Sequence, residues 1–150
     1  MLSISRIVVG VDFTAPSLRA LDDAIELAAR VHASVIVVHV IERPAVFPEE
    51  LSSDVELPNR ITAAEGALRA IIRERRDQHV ALAPVLRVGK AWHEIEAVAD
   101  EQDADLIVLG IATDRHGLLS TLLGDNVAAT VVRTAHKPVL TIRSPERLPV

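Results

Sequence analysis

The stretch Ile-Val-Val-Gly-Val-Asp-Phe-Thr, residues 7–14, decides the fold. An unbroken apolar run that ends at a carboxylate is typical of a strand buried on both faces of a parallel sheet. Runs of the same kind recur further along the chain, at Ser34–Ile41, Leu82–Val88, 106–109 and 139–142. With residues 7–11 as the first, the sequence predicts five parallel strands.

Helical spacing separates these runs. Apolar residues recur at steps of three and four between successive strands, which predicts four amphipathic helices. The clearest follows the opening strand, with Thr14 as its N-cap and Pro16 in its first turn. The alternation predicts one α/β domain, a three-layer α/β/α sandwich over residues 1–143, followed by a C-terminal tail at 144–150. The proline-rich segment 42–58 is predicted to be a surface excursion.

Composition excludes several classes of function. The chain has no cysteine, which excludes disulfides, Cys-ligated metals and thiol catalysis. A net charge of −5, two Phe, one Trp and no Tyr leave neither a basic surface nor stacking platforms, so we expect no nucleic-acid partner. No apolar run approaches the roughly 20 residues that span a bilayer, and no signal peptide is evident. We expect a cytoplasmic protein with no membrane contact.

Catalytic and metal-binding motifs are also missing from the sequence. The six histidines show no metal-ligand spacing, so no metal site is predicted. There is no GxxxxGK[ST] loop, no GxGxxG and no GxSxG elbow. We therefore predict no catalytic residue and leave weak ATP hydrolysis as the most that this chain could perform.

Ligands of open parallel sheets bind beyond the carboxyl ends of the strands, where the strand order reverses. Two loops are therefore the candidates. The first carries Asp12 directly after the opening strand. The second starts at Gly110 after the fourth strand and contains Gly117 and Gly124, whose lack of a Cβ allows close approach of the backbone to phosphate.

The chain resembles the universal stress protein family along nearly its whole length. The resemblance rests on five segments in order: the opening strand with its acidic turn, Val-His-Val-Ile at 38–41, Val-Gly-Lys at 88–90 with His-Glu-Ile at 93–95, Asp-Leu-Ile-Val-Leu-Gly at 105–110, and Lys-Pro-Val-Leu-Thr-Ile-Arg at 137–143. It implies a sheet of order 3-2-1-4-5 and a homodimer paired through the strand from Pro138 to Arg143. It also implies a stress-response regulatory protein that binds ATP or another adenine nucleotide, with or without magnesium.

The resemblance also implies the site residues. Asp12, with its neighbours Val11 and Phe13, and the backbone of Val40 would face the adenosine, while Leu109 would line the base pocket. The second loop would wrap the phosphates. Its predicted site residues are Gly110, Thr113, Arg115, His116, Gly117, Gly124, Asp125 and Asn126.

Three departures from the family's phosphate pattern, GxxG, nine residues and then Gly-Ser or Gly-Thr, keep an alternative open. Thr113 replaces the second glycine, the interval to Gly124 is one residue longer, and Asp125 replaces the hydroxyl. Asp125 at a helix start competes with an anion for the same amides. Asn126 can take the cap instead, and Arg115 and His116 can offset lost contacts. The alternative is an interaction module with a degenerate phosphate loop and no nucleotide cofactor.

Overall fold

A computed structural model describes residues 3–42, 56–113, 119–120 and 127–145. Within these ranges the chain forms six strands: β1 (Arg6–Gly10), β2 (Ser34–Ile41), β3 (Leu82–Val88), β4 (Leu106–Thr113), β5 (Leu119–Ser120) and β6 (Val139–Pro145). The helices are α1 (Ala15–Val31), α2 (Glu56–Arg73), α3 (Ala91–Glu101) and α4 (Val127–Thr134), with a 3₁₀ turn at Arg76–Gln78.

Five of the strands form a parallel sheet in the order β3-β2-β1-β4-β6. The predicted order 3-2-1-4-5 is confirmed, because β6 is the fifth parallel strand and the short β5 pairs antiparallel with β4. The register is continuous across the centre, where Val8 lies opposite Ile36 on one side and Ile107 on the other. β1, the opening run of the sequence, is therefore the middle of the sheet.

The two faces of the sheet bury separate apolar layers. On one face, α1 and α2 pack Leu21, Ile25 and Leu68 against alternate residues of β1 and β2. On the other, α3 and α4 pack Ile95 and Val131 against the remaining residues of the same strands. Burial of both faces explains why the central strands are continuous apolar runs rather than alternating ones.

Several boundaries differ from the sequence-based predictions: β1 covers Arg6–Gly10 rather than 7–11, and the fifth parallel strand, expected at 139–142, continues to Pro145, into the predicted tail. The fourth strand, expected at 106–109, continues to Thr113 because β6 pairs with it as far as Pro145. The excursion expected at 42–58 is shorter, since α2 begins at Glu56 and includes Pro58 in its first turn, where proline costs no hydrogen bond. Residues 43–55 lie outside the described part, as do 146–150 of the predicted tail.

The two margins of the sheet are unlike. β3 forms one margin and carries an exposed proline, Pro84, opposite Val37 of β2. β6 forms the other and exposes Leu140.

None of the helices in the described ranges combines the length and the apolar character needed to cross a bilayer.

Candidate functional site

At the carboxyl edge of the sheet, β1 and β4 end at different points, and we call the region between their ends the crevice. The β1 chain makes a last sheet-like contact when Val11 N donates to the Val38 carbonyl oxygen at 2.8 Å, and it then turns away into α1. β4 continues past this point to Thr113. The strand order reverses here, since β2 lies on one side of β1 and β4 on the other, and this is where parallel α/β sheets bind ligands.

Asp12 lies at the base of the crevice and is held by the first turn of α1. Its Oδ1 accepts a hydrogen bond from Thr14 N at 3.1 Å and another from the Thr14 hydroxyl, while its own N–H donates to Ser17 Oγ at 3.2 Å. Ser17, 2% exposed, in turn donates to the Thr14 carbonyl oxygen at 3.0 Å. The position of Thr14 as N-cap is confirmed, although its hydroxyl serves Asp12 rather than an amide of the helix.

The second carboxylate oxygen of Asp12 has no hydrogen-bond partner among the described residues. Oδ2 is buried, and no group in the described ranges hydrogen-bonds to it. A buried acceptor without a donor costs free energy on the order of 1–3 kcal/mol. The site therefore contains an acceptor that a ligand with an N–H or O–H group would satisfy.

Phe13 and His39 form the neighbouring wall. Phe13 has a positive φ of 65°, and its ring lies 4.5 Å from the His39 ring, centroid to centroid. His39 Nδ1 lies 2.7 Å from the Val11 carbonyl oxygen, and because a carbonyl only accepts, Nδ1 carries the proton. His39 thus ties β2 to the turn that presents Asp12. Val40 is half-buried next to it and packs toward the α3 layer.

Gly110 and Leu109 have packing roles that the sequence did not reveal. Gly110 lies inside β4 rather than in a loop, and a Cβ there would stand 2.4 Å from the Pro16 carbonyl oxygen. Leu109 is fully buried, and its side chain would lie 2.9 Å from a Cβ on Gly10. Thr113 ends β4 in strand conformation, opposite both Leu119 and Pro145, which suits a β-branched residue.

β5 lies beside the C-terminal end of β4, on the same side of β4 as β1 but beyond the end of β1. A strand residue has two neighbours in a sheet, and β6 pairs with one side of β4 from Ile107 to Thr113. β5 pairs with Ala112 and Thr113 as well, so it lies on the opposite side of β4, which is the side of β1. The main chain after β4 therefore returns over the carboxyl end of β1.

The N-terminus of α3 stands at the same edge. Glu42, directly after β2, accepts a hydrogen bond at Oε1 from Ala91 N at 2.7 Å. Gly89 N donates to the Ile41 carbonyl oxygen at 3.0 Å, and Gly89 has a φ of 156° with the Glu94 carboxylate against it. The start of α3 is thus occupied by carboxylates of the chain itself.

Of the predicted site residues, the structure brings Val11, Asp12, Phe13 and Val40 together. Leu109, Gly110 and Thr113 lie within β4, and the other predicted residues lie outside the described ranges: Arg115, His116, Gly117, Gly124, Asp125 and Asn126. Within the described part of the chain, no three His, Asp or Glu side chains are grouped so that they could hold a metal ion.

Three residues at the edge were not predicted: Ser17, His39 and Glu42. Ser17 could have been found from its place three residues after the N-cap Thr14, where a hydroxyl reaches back to the turn. His39 lies within the apolar run of β2, and only its tertiary contact with the Val11 carbonyl oxygen shows its position. Glu42 has no local signal, because its partner Ala91 is distant in sequence.

Comparisons with known proteins point to one family. The model of the universal stress protein family matches residues 3–143. Universal stress protein MJ0531 of Methanocaldococcus jannaschii is 31% identical over 144 residues, which cover 95% of this chain and 84% of that protein. A universal stress protein family structure from Burkholderia pseudomallei is 29% identical, covers 93% of this chain and 96% of its own, and superposes with a TM-score of 0.74.

Two more distant structures share the fold and were solved with nucleotides. A universal stress protein in complex with cAMP is 23% identical, with a TM-score of 0.69 over 93% of this chain and 97% of that one. A universal stress protein from Archaeoglobus fulgidus in complex with dAMP is 24% identical, with a TM-score of 0.65 over 94% and 98%.

Proposed function

The chain belongs to the universal stress protein family, and on that premise we propose that it is a cytoplasmic stress-response regulatory protein that binds an adenine nucleotide and acts as a homodimer. The ligand is a regulatory one, ATP or a related nucleotide, bound with or without magnesium, and we propose no catalytic residue.

One observation carries the nucleotide proposal, which is the free Oδ2 of Asp12. The oxygen is buried at the switch point of the sheet with no donor among the described residues. A ribose hydroxyl or the exocyclic amino group of adenine supplies such a donor. The half-buried Val40 and the Phe13–His39 pair provide apolar surface at the ends of the same two strands. The complexes of two relatives with cAMP and dAMP support the same ligand class.

Isothermal titration with ATP, ADP, AMP and cAMP, each with and without magnesium, tests this proposal. We expect saturable heat for at least one nucleotide and its loss in Asp12→Asn, since Asn keeps the shape but turns an acceptor into an N–H₂ donor. Asp103→Asn is the matched control, because Asp103 lies after α3 at the opposite end of the molecule with its side chain 88% exposed. No heat with any nucleotide at high micromolar concentration overturns the proposal.

The second candidate is an interaction module that has lost nucleotide binding. The observation that favours it is the extended β4, which keeps Gly110 and Thr113 in strand pairing where a phosphate-binding loop needs amides turned outward. Under this candidate, Thr113→Gly with Asp125→Ser creates or sharply improves ATP affinity. Unchanged binding counts against it.

Weak ATP hydrolysis remains the least supported activity. Phosphate release that persists at the same rate in Asp12→Ala identifies a contaminating ATPase. The homodimer proposal is independent of the ligand and rests on the outer edge of β6, which pairs with no other strand of the described ranges. Such a strand edge is a template for another chain.

A further inference from the structure

The hydrogen-bond ladder between β1 and β2 lacks its last bond at the carboxyl edge. Even-numbered residues of β2 direct their main-chain groups toward β1, as Ser34 N does when it donates to the Ser5 carbonyl oxygen at 2.9 Å. The Val38 carbonyl oxygen likewise accepts from Val11 N at 2.8 Å. In a parallel ladder the next bond would join Val40 N to the Val11 carbonyl oxygen. Within the described part of the chain that bond is not formed.

The alternation of β2 directs both main-chain groups of Val40 to the side of β1. Odd-numbered residues of β2 face β3 instead: Val35 N donates to the Ala81 carbonyl oxygen at 2.9 Å. The Ile41 carbonyl oxygen accepts from Gly89 N at 3.0 Å. The N–H and C=O of one strand residue point to the same side, so those of Val40 point toward the space beyond the end of β1.

The side chain of His39 takes the place of the missing ladder bond. His39 Nδ1 lies 2.7 Å from the Val11 carbonyl oxygen and donates its proton to it. Val11 is therefore joined to β2 by a main-chain bond at its N–H and by a side-chain bond at its carbonyl oxygen. The acceptor that Val40 N would use is bound by the imidazole of the preceding residue.

The turn after Val11 depends on the same histidine. Phe13 has a φ of 65°, in the left-handed region that an aromatic residue rarely adopts, so contacts outside the turn must hold it there. His39 supplies one such contact through its ring, which lies 4.5 Å from the Phe13 ring between centroids. It supplies a second through the Val11 carbonyl oxygen. His39 thus contacts the chain on both sides of Asp12.

We infer that His39 is a positioning residue of the proposed nucleotide site. By bonding to the Val11 carbonyl oxygen it ends the β1–β2 ladder, and it thereby leaves the main-chain groups of Val40 open to a ligand. The inference rests on the proposed function for the identity of the ligand. The state of the ladder can be measured without any ligand.

Hydrogen exchange of the unliganded full chain, followed by NMR, tests the ladder directly. Val38 lies in register opposite Gly10 within the ladder, whereas Val40 lies beyond its last pair. We expect the Val40 amide of the wild type to exchange at least about ten-fold faster than the Val38 amide. In His39→Leu the Val11 carbonyl oxygen can accept from Val40 N, so exchange at Val40 should slow. A wild-type Val40 amide that exchanges as slowly as that of Val38 overturns the inference.

Two substitutions separate the hydrogen bond of His39 from its packing. His39→Asn keeps a donor, because Nδ2 of asparagine and Nδ1 of histidine stand at the same position along the side chain. His39→Leu has nearly the shape of asparagine and no donor. In titrations with ATP, ADP, AMP and cAMP, we expect the Kd of the tightest ligand to stay within about three-fold of the wild type in His39→Asn. It should rise about ten-fold in His39→Leu, the factor that corresponds to one hydrogen bond.

Urea unfolding distinguishes this role from a purely structural one. His39 alternates with Val35 and Val37, which are buried on the face covered by α1 and α2, and leucine suits such a strand position better than asparagine. We therefore expect His39→Leu to be the more stable variant and the weaker binder. Equal affinities of the two variants, or tighter binding by His39→Leu, overturn the inference. A wild type that binds none of the nucleotides overturns the proposed function, and the exchange measurement then decides by itself whether His39 ends the ladder.

Discussion

Gly110 of β4 lies directly under the backbone of Pro16 in α1: a Cβ on Gly110 would stand 2.4 Å from the Pro16 carbonyl oxygen and 2.8 Å from its carbon. Strand and helix are therefore in main-chain contact at the crevice. The first turn of α1, which holds Asp12, can pack this closely on β4 because Gly110 has no side chain.

Gly110→Ala is expected to destabilise the protein by about 1–3 kcal/mol, because the added methyl meets rigid backbone and α1 must move. Urea unfolding measures the change. Gly66→Ala is the control, since a Cβ at Gly66 in α2 has nothing within 4 Å. Alanine there should stabilise the helix by about 0.5–1 kcal/mol. Equal effects of the two variants would contradict the contact.

Much of the fold could be predicted from the sequence, because burial on both faces leaves unbroken apolar runs. Ser34–Ile41 and Leu82–Val88 are confirmed to the residue. The end of β4 could not be predicted, since Ile111 to Thr113 are strand through pairing with β6 and, at Ala112 and Thr113, with β5. In the site, Asp12 could be predicted because it follows a strand directly. Glu42 could not, because no local sequence pattern indicates its hydrogen bond with Ala91.

Ser17→Ala tests the network that holds Asp12. The substitution leaves Asp12 N without its acceptor and the Thr14 carbonyl oxygen without its donor. We expect a loss of about 1–3 kcal/mol in unfolding free energy, measured by urea denaturation. Thr62→Ala removes a comparable hydroxyl bond, to the Pro58 carbonyl oxygen, on the exposed side of α2 and should change stability by less than about 0.5 kcal/mol. A loss of similar size in Thr62→Ala would argue against a special role for Ser17.

Arg75 joins the end of α2 to α1. Its side chain is 12% exposed, its Nε donates to Asp22 Oδ1 at 2.7 Å and its Nη1 donates to the Ile71 carbonyl oxygen at 2.9 Å. Arg75→Met should cost about 1.5–3 kcal/mol, the range for hydrogen bonds of charged groups. Thermal unfolding measures this. Arg69→Met, which breaks a solvent-exposed pair with Glu65, should cost less than about 1 kcal/mol.

Asp105 makes the stability of the fold depend on pH in the acid range. Backbone hydrogen bonds from Ser5 N at 2.8 Å and Arg6 N at 3.1 Å lower the pKa of the Asp105 carboxyl, and the charges of Lys137 and Arg6 lower it further. A depressed folded pKa stabilises the fold above the unfolded pKa of about 3.9, and this contribution is lost as pH falls through the folded value.

Asp105→Asn should therefore lower the melting temperature at pH 7, and its difference from the wild type should shrink below about pH 4. Melting curves of the two proteins between pH 7 and pH 2.5 measure this. Asp103→Asn, two residues earlier and exposed, serves as the reference. A difference that stays constant over the whole range would contradict the assignment.

Leu140→Lys tests pairing through the β6 margin. Leu140 is 41% exposed there, and a lysine on an edge strand opposes pairing with a second sheet. Light scattering should report a dimer for the wild type and a monomer for the variant. Val31→Lys is matched in exposure, 39%, but lies at the end of α1 and should remain dimeric. A monomeric wild type would end the dimer proposal.

Pro84 makes the two edges of the sheet unequal in their ability to pair with another copy of the chain. Proline is tolerated at a margin because the side without an N–H faces outward, and that same gap deprives an incoming strand of a donor in the middle of β3. Copies that add to one another edge by edge are then expected to join at β6. Such an assembly closes after two molecules, because neither copy offers a second edge to a third. In the proposed dimer, Pro84 would therefore oppose open-ended polymerisation into fibres.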